Sequence, residues 1–381
     1  MAFAQLGLAQ NLQTASQRIG WEQPFPIQTA VIPSFLQGKD IMGIAQTGSG
    51  KTGAFALPML QLLQEQPRNE GRNIRALILV PTRELAVQIT DVFQALKVQL
   101  KREIKVMGIY GGVSINPQMK NLFRTDIVVA TPGRLLDLID HKALSLDELQ
   151  FFGVDEADKM FQMGFEEEMN RILALLPKKR QTFLFSATLN DKVEALKIQL
   201  NIQPEVIEVE AKGEEEVGEI IEEAFAVSPE RRGPFLRYLI KERQMEQVLV
   251  FVSAIRTADN LMEKLNKNGI KAASLHGHQS MRTRFDAINA FRKGRVQVLI
   301  ATDLLARGID ISGLPYVINF ELPRSPQDYV HRIGRTGRAG ESGNAISLII
   351  PDEEHHFKII KKKNKKWITL QSTEDIELNG Y

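Results

Sequence analysis

The first half of the chain carries short, continuous runs of apolar residues, rich in β-branched side chains, between longer segments of mixed polarity. Residues 5–20 have helical spacing and predict an N-terminal helix that stops at Gly20. Five apolar runs predict strands at 41–44, 76–80, 127–130, 151–154 and 183–185. Continuous apolar strands that alternate with helical segments are typical of a parallel sheet covered by helices on both faces. The pattern predicts an α/β fold, in which ligands bind at the carboxyl ends of the strands.

A second series of the same kind follows a charge-rich stretch with two glycines at residues 209–219. Its predicted strands are 248–252, 271–275, 296–300 and 316–320. The stretch between the two series favours a solvated linker because it is charged and contains glycine. We therefore predict two tandem α/β lobes, each a mainly parallel sheet with helices on both faces. The predicted segments are 1–208, the linker 209–219, 220–355 and a basic C-terminal tail, 356–381.

The composition agrees with this organisation and narrows the class of protein. A chain of 381 residues is too long for one ordinary core and fits two lobes of about 150–200 residues each. The net charge of +2 means that a nucleic-acid partner would have to meet a local basic groove. The absence of cysteine excludes disulfides, thiolate metal sites and cysteine nucleophiles. Without a signal-peptide pattern or a membrane-length apolar run, we expect a soluble cytoplasmic protein with no membrane partner.

A glycine-rich octet, residues 45–52, lies between the first predicted strand and a predicted helix. Strand, glycine loop, Lys-Thr and helix form the order that a phosphate-binding loop requires. Gly48 and Gly50 allow backbone N–H groups to approach phosphate oxygens, and the helix N-terminus adds its positive dipole end. Lys51 is expected to reach the β- and γ-phosphates, and Thr52 to hold Mg²⁺. The alternative interpretation is a glycine-rich turn that only connects a strand to a helix.

Two carboxylates, Asp155 and Glu156, directly follow the fourth predicted strand. After a phosphate loop, an Asp that orients Mg²⁺ and a second carboxylate that polarises the attacking water complete the parts of nucleotide hydrolysis. Taken alone, such a pair is more often a helix N-cap with an acidic first turn.

Basic residues of the second series offer two further candidates. Arg332, Arg335 and Arg338 recur at a spacing of three, so a helix or tight turn would place them on roughly one face. Guanidinium groups of this kind stabilise transition-state charge on a γ-phosphoryl group, and the alternative is a solvated basic helix. The run Lys361–Lys366 is either a solvated helix end or a contact for RNA or phosphate.

Together these motifs resemble the DEAD-box RNA helicases of helicase superfamily 2. Asp155-Glu156-Ala157-Asp158 spells the family's name, and the signatures follow the family order over about residues 3–340. The resemblance implies two RecA-like lobes with ATP and Mg²⁺ in the cleft between them. It implies RNA-stimulated ATP hydrolysis, backbone recognition of RNA across both lobes, and local unwinding of short duplexes or remodelling of RNA–protein complexes by a monomer. The same motifs are compatible with an alternative function, that of an ATP-dependent RNA clamp or assembly-factor subunit without significant unwinding.

The resemblance also implies roles for single residues of this sequence. Gln28, whose amide pairs an acceptor with a donor for a purine edge, matches the adenine-reading glutamine, and its alternative is a solvated surface amide. The other nucleotide contacts are Phe3, as the ring that stacks on adenine, Thr47, Gly48, Ser49, Gly50, Lys51, Thr52 and Asp310. The catalytic residues are Lys51, Asp155, Glu156 and the arginine fingers Arg335 and Arg338, and the metal ligands are Thr52 and Asp155. The RNA contacts are Pro81, Thr82, Arg83, Gly112, Thr131, Gly133, Arg134, Arg284 and Thr302. The residues that couple hydrolysis to RNA are Asp158, Ser186, Thr188, Asp303, Arg307, His331 and Arg332.

The sequence departs from the family pattern at two places. Met281 stands five residues after His276, where the family usually has Gln. A thioether has no donor and only a weak acceptor, so we expect a weaker hold on RNA there; the alternative is that Met281 packs in the core. Trp21 and Phe25 occupy positions where Phe and a small residue are commoner.

Overall fold

Apart from the side chain of Met281, the computed structural model describes residues 2–45, 48–67, 69–209, 220–302, 313–337 and 342–381. The chain divides into two compact units, Met1–Lys212 and Gly213–Tyr381. Each unit contains one seven-stranded sheet, and every pairing between the described strands is parallel. The predicted α/β fold class, with two tandem lobes built on parallel sheets, is confirmed.

The sheet of the first unit has the order β3-β4-β2-β5-β6-β1-β7. Its strands are β1 (Ile41–Ile44), β2 (Ala76–Leu79), β3 (Val106–Ile109), β4 (Ile127–Ala130), β5 (Phe151–Val154), β6 (Gln181–Ser186) and β7 (Glu205–Glu208). Its helices are α1 (Gln10–Arg18), α2 (Pro26–Leu36), α3 (Lys51–Gln64), α4 (Arg83–Leu96), α5 (Ile115–Asn121), α6 (Pro132–Asp140), α7 (Ala157–Gln162), α8 (Glu166–Leu173) and α9 (Asp191–Gln199).

Helices bury both faces of this sheet. Successive side chains of a strand point to opposite sides, so each strand contributes to both cores. Ile78 and Val129 enter a core that contains apolar residues of α2, α3 and α4. Leu77 and Val128, their neighbours in sequence, enter a second core with residues of α6, α8 and α9. Burial on both sides explains why the strands are continuous apolar runs in the sequence.

The sheet of the second unit has the order β10-β11-β9-β12-β13-β8-β14. Its strands are β8 (Ile220–Ala226), β9 (Val248–Val252), β10 (Ala272–Leu275), β11 (Val298–Thr302), β12 (Tyr316–Asn319), β13 (Gly343–Ile349) and β14 (Leu370–Ser372). Its described helices are α10 (Pro229–Glu242), α11 (Ile255–Lys267), α12 (Met281–Arg292), α13 (Pro326–Ile333) and α14 (Glu354–Lys363). When the strands of each unit are numbered from one to seven, both sheets have the same order, so the second unit repeats the topology of the first.

Two glycines within strands make room for an aromatic cluster beneath α3. A Cβ atom at Gly43 would lie 2.3 Å from Cε1 of Phe185, and one at Gly153 would lie 2.1 Å from Cε2 of Phe183. The Phe183 ring stacks on Phe55 of α3, with 5.1 Å between the ring centroids. This packing fixes α3, the helix that follows the phosphate loop, against the centre of the sheet.

The observed elements differ from the predicted ones at both ends of the chain, and the strands β3, β7, β8 and β13 were not predicted. The predicted helix 5–20 is divided into a 3-10 helix, Phe3–Leu6, and α1, because Gly7 between them has a φ of +83°. At the C-terminus, α14 and β14 belong to the second unit, where β14 pairs with β8 at the edge of the sheet. Among the described residues, no helix is both long enough and apolar enough to cross a membrane.

Candidate active site

The candidate phosphate loop begins where β1 ends and leads directly into α3. Gly48 and Gly50 have φ angles of +85° and +88°, in the left-handed region that glycine adopts without strain. Gly50 caps α3, and Lys51 is the first helical residue. Lys51 is buried, and its Nζ donates a hydrogen bond to the carbonyl oxygen of Ala45 at 2.9 Å. The loop therefore holds its own ammonium group in place, while the predicted contact Thr47 lies outside the described residues.

Gln28 of α2 is fully buried beside this loop. Its Oε1 accepts a hydrogen bond from the Phe25 N–H, and its Nε2 donates one to the carbonyl oxygen of Gly50, both at 3.0 Å. A Cβ atom at Gly53 would lie 2.4 Å from Gln28 Nε2 and 2.7 Å from the Trp21 ring. Gln28 is therefore not a solvated surface amide, because it joins α2 to the phosphate loop. Its reading of adenine stays a prediction.

Phe3, the predicted adenine-stacking ring, lies at the N-terminus of the first unit. It is buried and packs in the core that contains residues of α2, α3 and α4. The stacking role of Phe3 stays a prediction.

The order of the strands brings the Asp155 carboxylate near the phosphate loop. β5, which precedes Asp155, is next to β6, and β6 is next to β1. Asp155 is buried, and its Oδ1 accepts a hydrogen bond from the Glu156 N–H at 2.9 Å. Burial raises the pKa of Asp155 to about 6, and the positive charge of Lys51 acts in the opposite direction. Lys51 and Asp155 thus belong to one electrostatic environment.

Glu156 lies in a strained turn between β5 and α7. Its φ of +54° and ψ of +48° fall in the left-handed region, which residues with a Cβ atom seldom adopt. Glu156 Oε1 accepts a hydrogen bond from Lys159 Nζ at 2.6 Å, and both side chains are buried. Glu156 Oε2 is also buried, and it has no hydrogen-bond partner among the described residues. A buried carboxylate oxygen requires a donor, and a water molecule would supply one.

Lys159 was not among the predicted site residues. Its only signal in the sequence is the i,i+3 spacing from Glu156, which places opposite charges on one side of a helix. That spacing is common on solvated helices, so the sequence did not distinguish this buried ion pair from a surface pair.

Two predicted coupling motifs of the first unit are in direct contact. Thr188 Oγ1 donates a hydrogen bond to Asp158 Oδ2 at 3.2 Å. Ser186 Oγ donates one to the carbonyl oxygen of Thr188 at 2.7 Å. These bonds join the start of α7, which follows the carboxylates, to the end of β6.

The predicted RNA contacts of the first unit gather at the carboxyl ends of β2, β4 and β3, which are neighbours in the sheet. The Arg83 guanidinium covers Gly112, where a Cβ atom would lie only 1.7 Å from Nη1. Arg134 Nη2 donates a hydrogen bond to the carbonyl oxygen of Val113 at 3.0 Å. Thr82 caps α4 by accepting a hydrogen bond from a backbone N–H of that helix at 3.2 Å. The remaining predicted contacts in these three loops are Pro81, Thr131 and Gly133.

The structure describes only part of the predicted site in the second unit. Arg332 Nη1 donates hydrogen bonds to Asn319 Oδ1 at 3.0 Å and to the carbonyl oxygen of Glu321 at 2.6 Å. α13 ends at Ile333, and buried Arg335 lies in the turn that follows, so the spacing of three does not continue along one helix. Arg284 of α12 is buried, Thr302 ends β11 and His331 lies on α13. The predicted residues outside the described part are Asp303, Arg307, Asp310 and Arg338.

A glycine loop between β1 and α3, carboxylates at the end of β5 and a repeated parallel sheet define the class of P-loop nucleotide hydrolases with tandem RecA-like lobes. Family models are more specific. The DEAD/DEAH box helicase model matches residues 25–196, and the helicase conserved C-terminal domain model matches residues 232–340.

Curated relatives and solved structures agree with these family models. The ATP-dependent RNA helicase CshA of Listeria monocytogenes is 39% identical over 367 residues, covering 96% of this chain and 69% of the relative. The Bacillus subtilis DEAD-box ATP-dependent RNA helicase CshA is 38% identical over 367 residues, covering 96% and 73%. Saccharomyces cerevisiae Dbp5 bound to RNA and ADP BeF3 has a TM-score of 0.83 at 31% identity, covering 98% of this chain and 96% of that one. A DEAD box protein from the hyperthermophile Methanococcus jannaschii has a TM-score of 0.54 at 38% identity, covering 98% and 99%.

The chain belongs to the DEAD-box family of ATP-dependent RNA helicases. This confirms the family, the RecA-like fold and the class of enzyme that the sequence predicted.

Proposed function

We propose that this protein hydrolyses ATP with Mg²⁺ in response to RNA, and thereby separates short RNA duplexes or remodels RNA–protein complexes. The observation that carries the proposal is the buried Glu156 oxygen without a partner, next to the Asp155 carboxylate. A carboxylate that activates water must keep one oxygen for the attacking water, and Glu156 Oε2 has no hydrogen-bond partner among the described residues. Membership of the family supports RNA as the partner.

The phosphate loop supplies the nucleotide contacts in this proposal. Gly48, Ser49 and Gly50 present backbone N–H groups to phosphate oxygens. Lys51 exchanges the Ala45 carbonyl oxygen for β- and γ-phosphate oxygens, which are stronger acceptors because they are charged. The further nucleotide contacts are Gln28, Phe3, Thr47 and Asp310.

Thr52 and Asp155 are the residues that would hold Mg²⁺. Both offer oxygen, the ligand atom that magnesium prefers. Above its raised pKa of about 6, Asp155 is an anion in a buried setting, and such a carboxylate is favoured by a cation beside it. The ion would supply neutralisation of the charge on the β- and γ-phosphates.

Glu156 Oε2 accepts a hydrogen bond from the attacking water, while Oε1 accepts the hydrogen bond from Lys159. The left-handed backbone of Glu156 and the ion pair with Lys159 restrict the orientation of this carboxylate. Arg335 and Arg338 supply planar guanidinium donors for the charge that develops on the γ-phosphoryl group.

RNA is held through its backbone by both units. Phosphate and 2′-OH contacts recognise shape and carry little sequence preference. The first-unit contacts are Pro81, Thr82, Arg83, Gly112, Thr131, Gly133 and Arg134, and the second-unit contacts are Arg284 and Thr302. The pair Asp158–Thr188 connects the carboxylate turn to the end of β6, so it is suited to couple the two activities. The other coupling residues are Ser186, Asp303, Arg307, His331 and Arg332.

The remaining parts of the proposal concern organisation and context. We propose that residues 1–208 and 220–355 act as the two functional lobes on either side of the linker 209–219. The protein works as a monomer in the cytoplasm, where its partners are RNA and ribonucleoproteins. Analytical ultracentrifugation with and without RNA tests the monomer, since a stable dimer at micromolar concentration would contradict it.

Strand displacement on a short RNA duplex with a single-stranded overhang tests the proposed activity. With ATP and Mg²⁺ we expect RNA-stimulated phosphate release and the displacement of several strands per protein molecule. EDTA and the Lys51→Ala variant should each abolish both signals. RNA held by the protein with a non-hydrolysable analogue, but not displaced with ATP, would identify the clamp instead. Phosphate release that does not respond to RNA would contradict the proposal.

A further inference from the structure

A basic turn with an exposed tryptophan lies on the second unit, outside the candidate active site. It connects α14 to the edge strand β14. Six lysines and no acidic residue occur from Lys358 to Lys366, and Trp367 follows them. Trp367 is fully exposed. Together with four of these lysines it lines a pocket of about 480 Å³. The Trp367 ring is therefore accessible to a ligand.

The backbone of the turn fixes the direction of these side chains. Lys365 has a φ of +52°, in the left-handed position after a helix where glycine is the usual residue. The Lys366 N–H donates a hydrogen bond to the carbonyl oxygen of Lys361 at 3.0 Å, which closes the end of α14. Beyond it, Ile368 is buried in the core while Trp367 points outward, the alternation of an extended segment.

Structural roles account for only two of the lysines that line the pocket. Lys361 Nζ donates a hydrogen bond to the carbonyl oxygen of Ile368 at 2.9 Å, and Lys366 forms an ion pair with buried Glu222 at 2.7 Å. Lys362 and Lys365 are exposed, and neither forms an ion pair with a described residue. Two free ammonium groups therefore flank an exposed ring that packs against nothing in the described part of the chain.

We propose that this turn is a binding site for single-stranded RNA, separate from the contacts already assigned. Trp367 would stack on one base, while Lys362 and Lys365 would hold the phosphates on either side of it. The pocket volume falls within the range of roughly 300–1,000 Å³ that ligand sites occupy. Both RNA and an acidic peptide are anionic, but only a nucleic acid carries a flat ring beside an anionic group in every residue. The surface therefore suits RNA better than an acidic peptide.

The position in the sheet separates this site from the other predicted RNA contacts of the second unit. The turn precedes β14 and so lies at the amino ends of the parallel strands, whereas Thr302 lies at the carboxyl end of β11. The turn and Thr302 would therefore contact different segments of an RNA strand. The inference rests on the proposed function for the identity of the partner, and the site would keep RNA near the enzyme between cycles.

Tryptophan fluorescence tests the contact directly because the chain has only two tryptophans, Trp21 and Trp367. In a Trp21→Phe variant of the full chain, all tryptophan emission comes from Trp367. We expect a single-stranded oligouridylate to quench this emission and to reduce its quenching by acrylamide. The titration is repeated with anionic phospholipid vesicles and with a polyglutamate peptide, which should leave the emission unchanged.

Variants of the turn test its contribution to RNA affinity, measured by the anisotropy of a labelled single-stranded RNA at several salt concentrations. Trp367→Ala should weaken binding about tenfold. The double variant Lys362→Gln/Lys365→Gln should reduce the slope of log affinity against log salt by about 1.4, the value for two lost single-strand phosphate contacts. Lys264→Gln/Lys267→Gln removes the same charge from exposed positions of α11 and should change neither quantity.

Lys365→Gly separates binding from folding. Glycine suits the left-handed backbone at this position, so the melting temperature should stay equal or rise while RNA affinity falls. RNA binding with unchanged Trp367 emission and unaltered affinity of the turn variants would overturn this inference and leave the proposed function intact. An emission change with vesicles or polyglutamate but not with RNA would also overturn it. Failure of the intact chain to bind any RNA would overturn both proposals.

Discussion

The two units have the same strand order, yet the carboxylate that follows the fifth strand has opposite surroundings in each. In the first unit, β5 leads to Glu156, which has one oxygen on Lys159 and one without a partner among the described residues. In the second unit, β12 is the equivalent strand and leads to Glu321. Both Glu321 oxygens accept hydrogen bonds, from the Ser253 N–H and from the Thr257 hydroxyl. The topology sets where a carboxylate stands, and its local partners decide whether it is available for chemistry.

The first strands of the two sheets show the same contrast. β1 is followed by the glycine loop and by Lys51 at the start of α3. β8 is followed by Val227 and Ser228, and α10 begins directly at Pro229 with no glycine before it. The second unit therefore repeats the sheet without a phosphate loop. Its proposed share of the chemistry lies instead in the arginine-bearing turn after α13.

The largest expected effect concerns that turn. Arg335→Lys keeps the charge but replaces a planar fork of donors with a single ammonium group. We expect RNA-stimulated phosphate release to fall by roughly 10³-fold, since an arginine finger contributes roughly 10³–10⁵. Arg180→Lys is the matched control, because Arg180 precedes β6 in the first unit and donates hydrogen bonds to the carbonyl oxygens of Pro177 and Leu200. If Arg335→Lys keeps more than half of the parent rate, Arg335 is not an arginine finger.

A double-mutant cycle tests the ion pair that distinguishes Glu156 from Glu321. Lys159→Met leaves a buried carboxylate without its counter-charge and should lower the free energy of unfolding by about 3–5 kcal/mol. In the Glu156→Gln background the same Lys159 change no longer removes the counter-charge of a Glu156 carboxylate, so it should have a much smaller effect. Denaturant unfolding at neutral pH without nucleotide measures both. Equal effects of Lys159→Met in the two backgrounds would show that the pair does not interact.

The pH dependence of stability tests the environment of Asp155. Because its pKa is raised to about 6, the native state binds a proton more readily than the unfolded state at pH values between about 4 and 6. The free energy of unfolding therefore falls as pH rises through this window. Asp155→Asn carries no such penalty, so at pH 8 in EDTA it should be more stable than the parent by about 3 kcal/mol. Near pH 4 the difference should vanish, and a difference that is constant with pH would contradict the burial of a charged Asp155.

Much of the fold was predictable because buried strands are continuous apolar runs. The predicted runs at 41–44, 127–130 and 151–154 coincide with β1, β4 and β5. The sequence did not predict the edge strands β3, β7 and β14 or the interior strands β8 and β13, whereas it did predict the edge strand β10. β7, Glu205–Glu208, has glutamates at both ends, and β14 has only three residues. Short, polar strands of this kind are common at sheet edges, and the apolar pattern does not identify β7 and β14 for that reason.

The residue types of the candidate site could be proposed from the sequence, whereas their contacts could not. Lys51, Asp155 and Glu156 stand out in the sequence because nucleotide hydrolysis would require residues of these types after the strands of the sheet. The ion pair between Glu156 and Lys159 depends on a left-handed backbone at Glu156, which no sequence periodicity reveals. The burial of Gln28 against Gly50 likewise depends on the packing of α2 beside the phosphate loop.

The central claim is that the free oxygen of Glu156 activates the attacking water, and single-turnover phosphate release tests it most directly. Glu156→Gln should bind ATP and RNA as the parent does but release phosphate roughly 10²–10⁴-fold more slowly. Glu321→Gln, the same change after the equivalent strand, should keep the parent rate and instead lower the free energy of unfolding by about 1–3 kcal/mol. Near-parental phosphate release by Glu156→Gln, with unaltered folding, would contradict the claim.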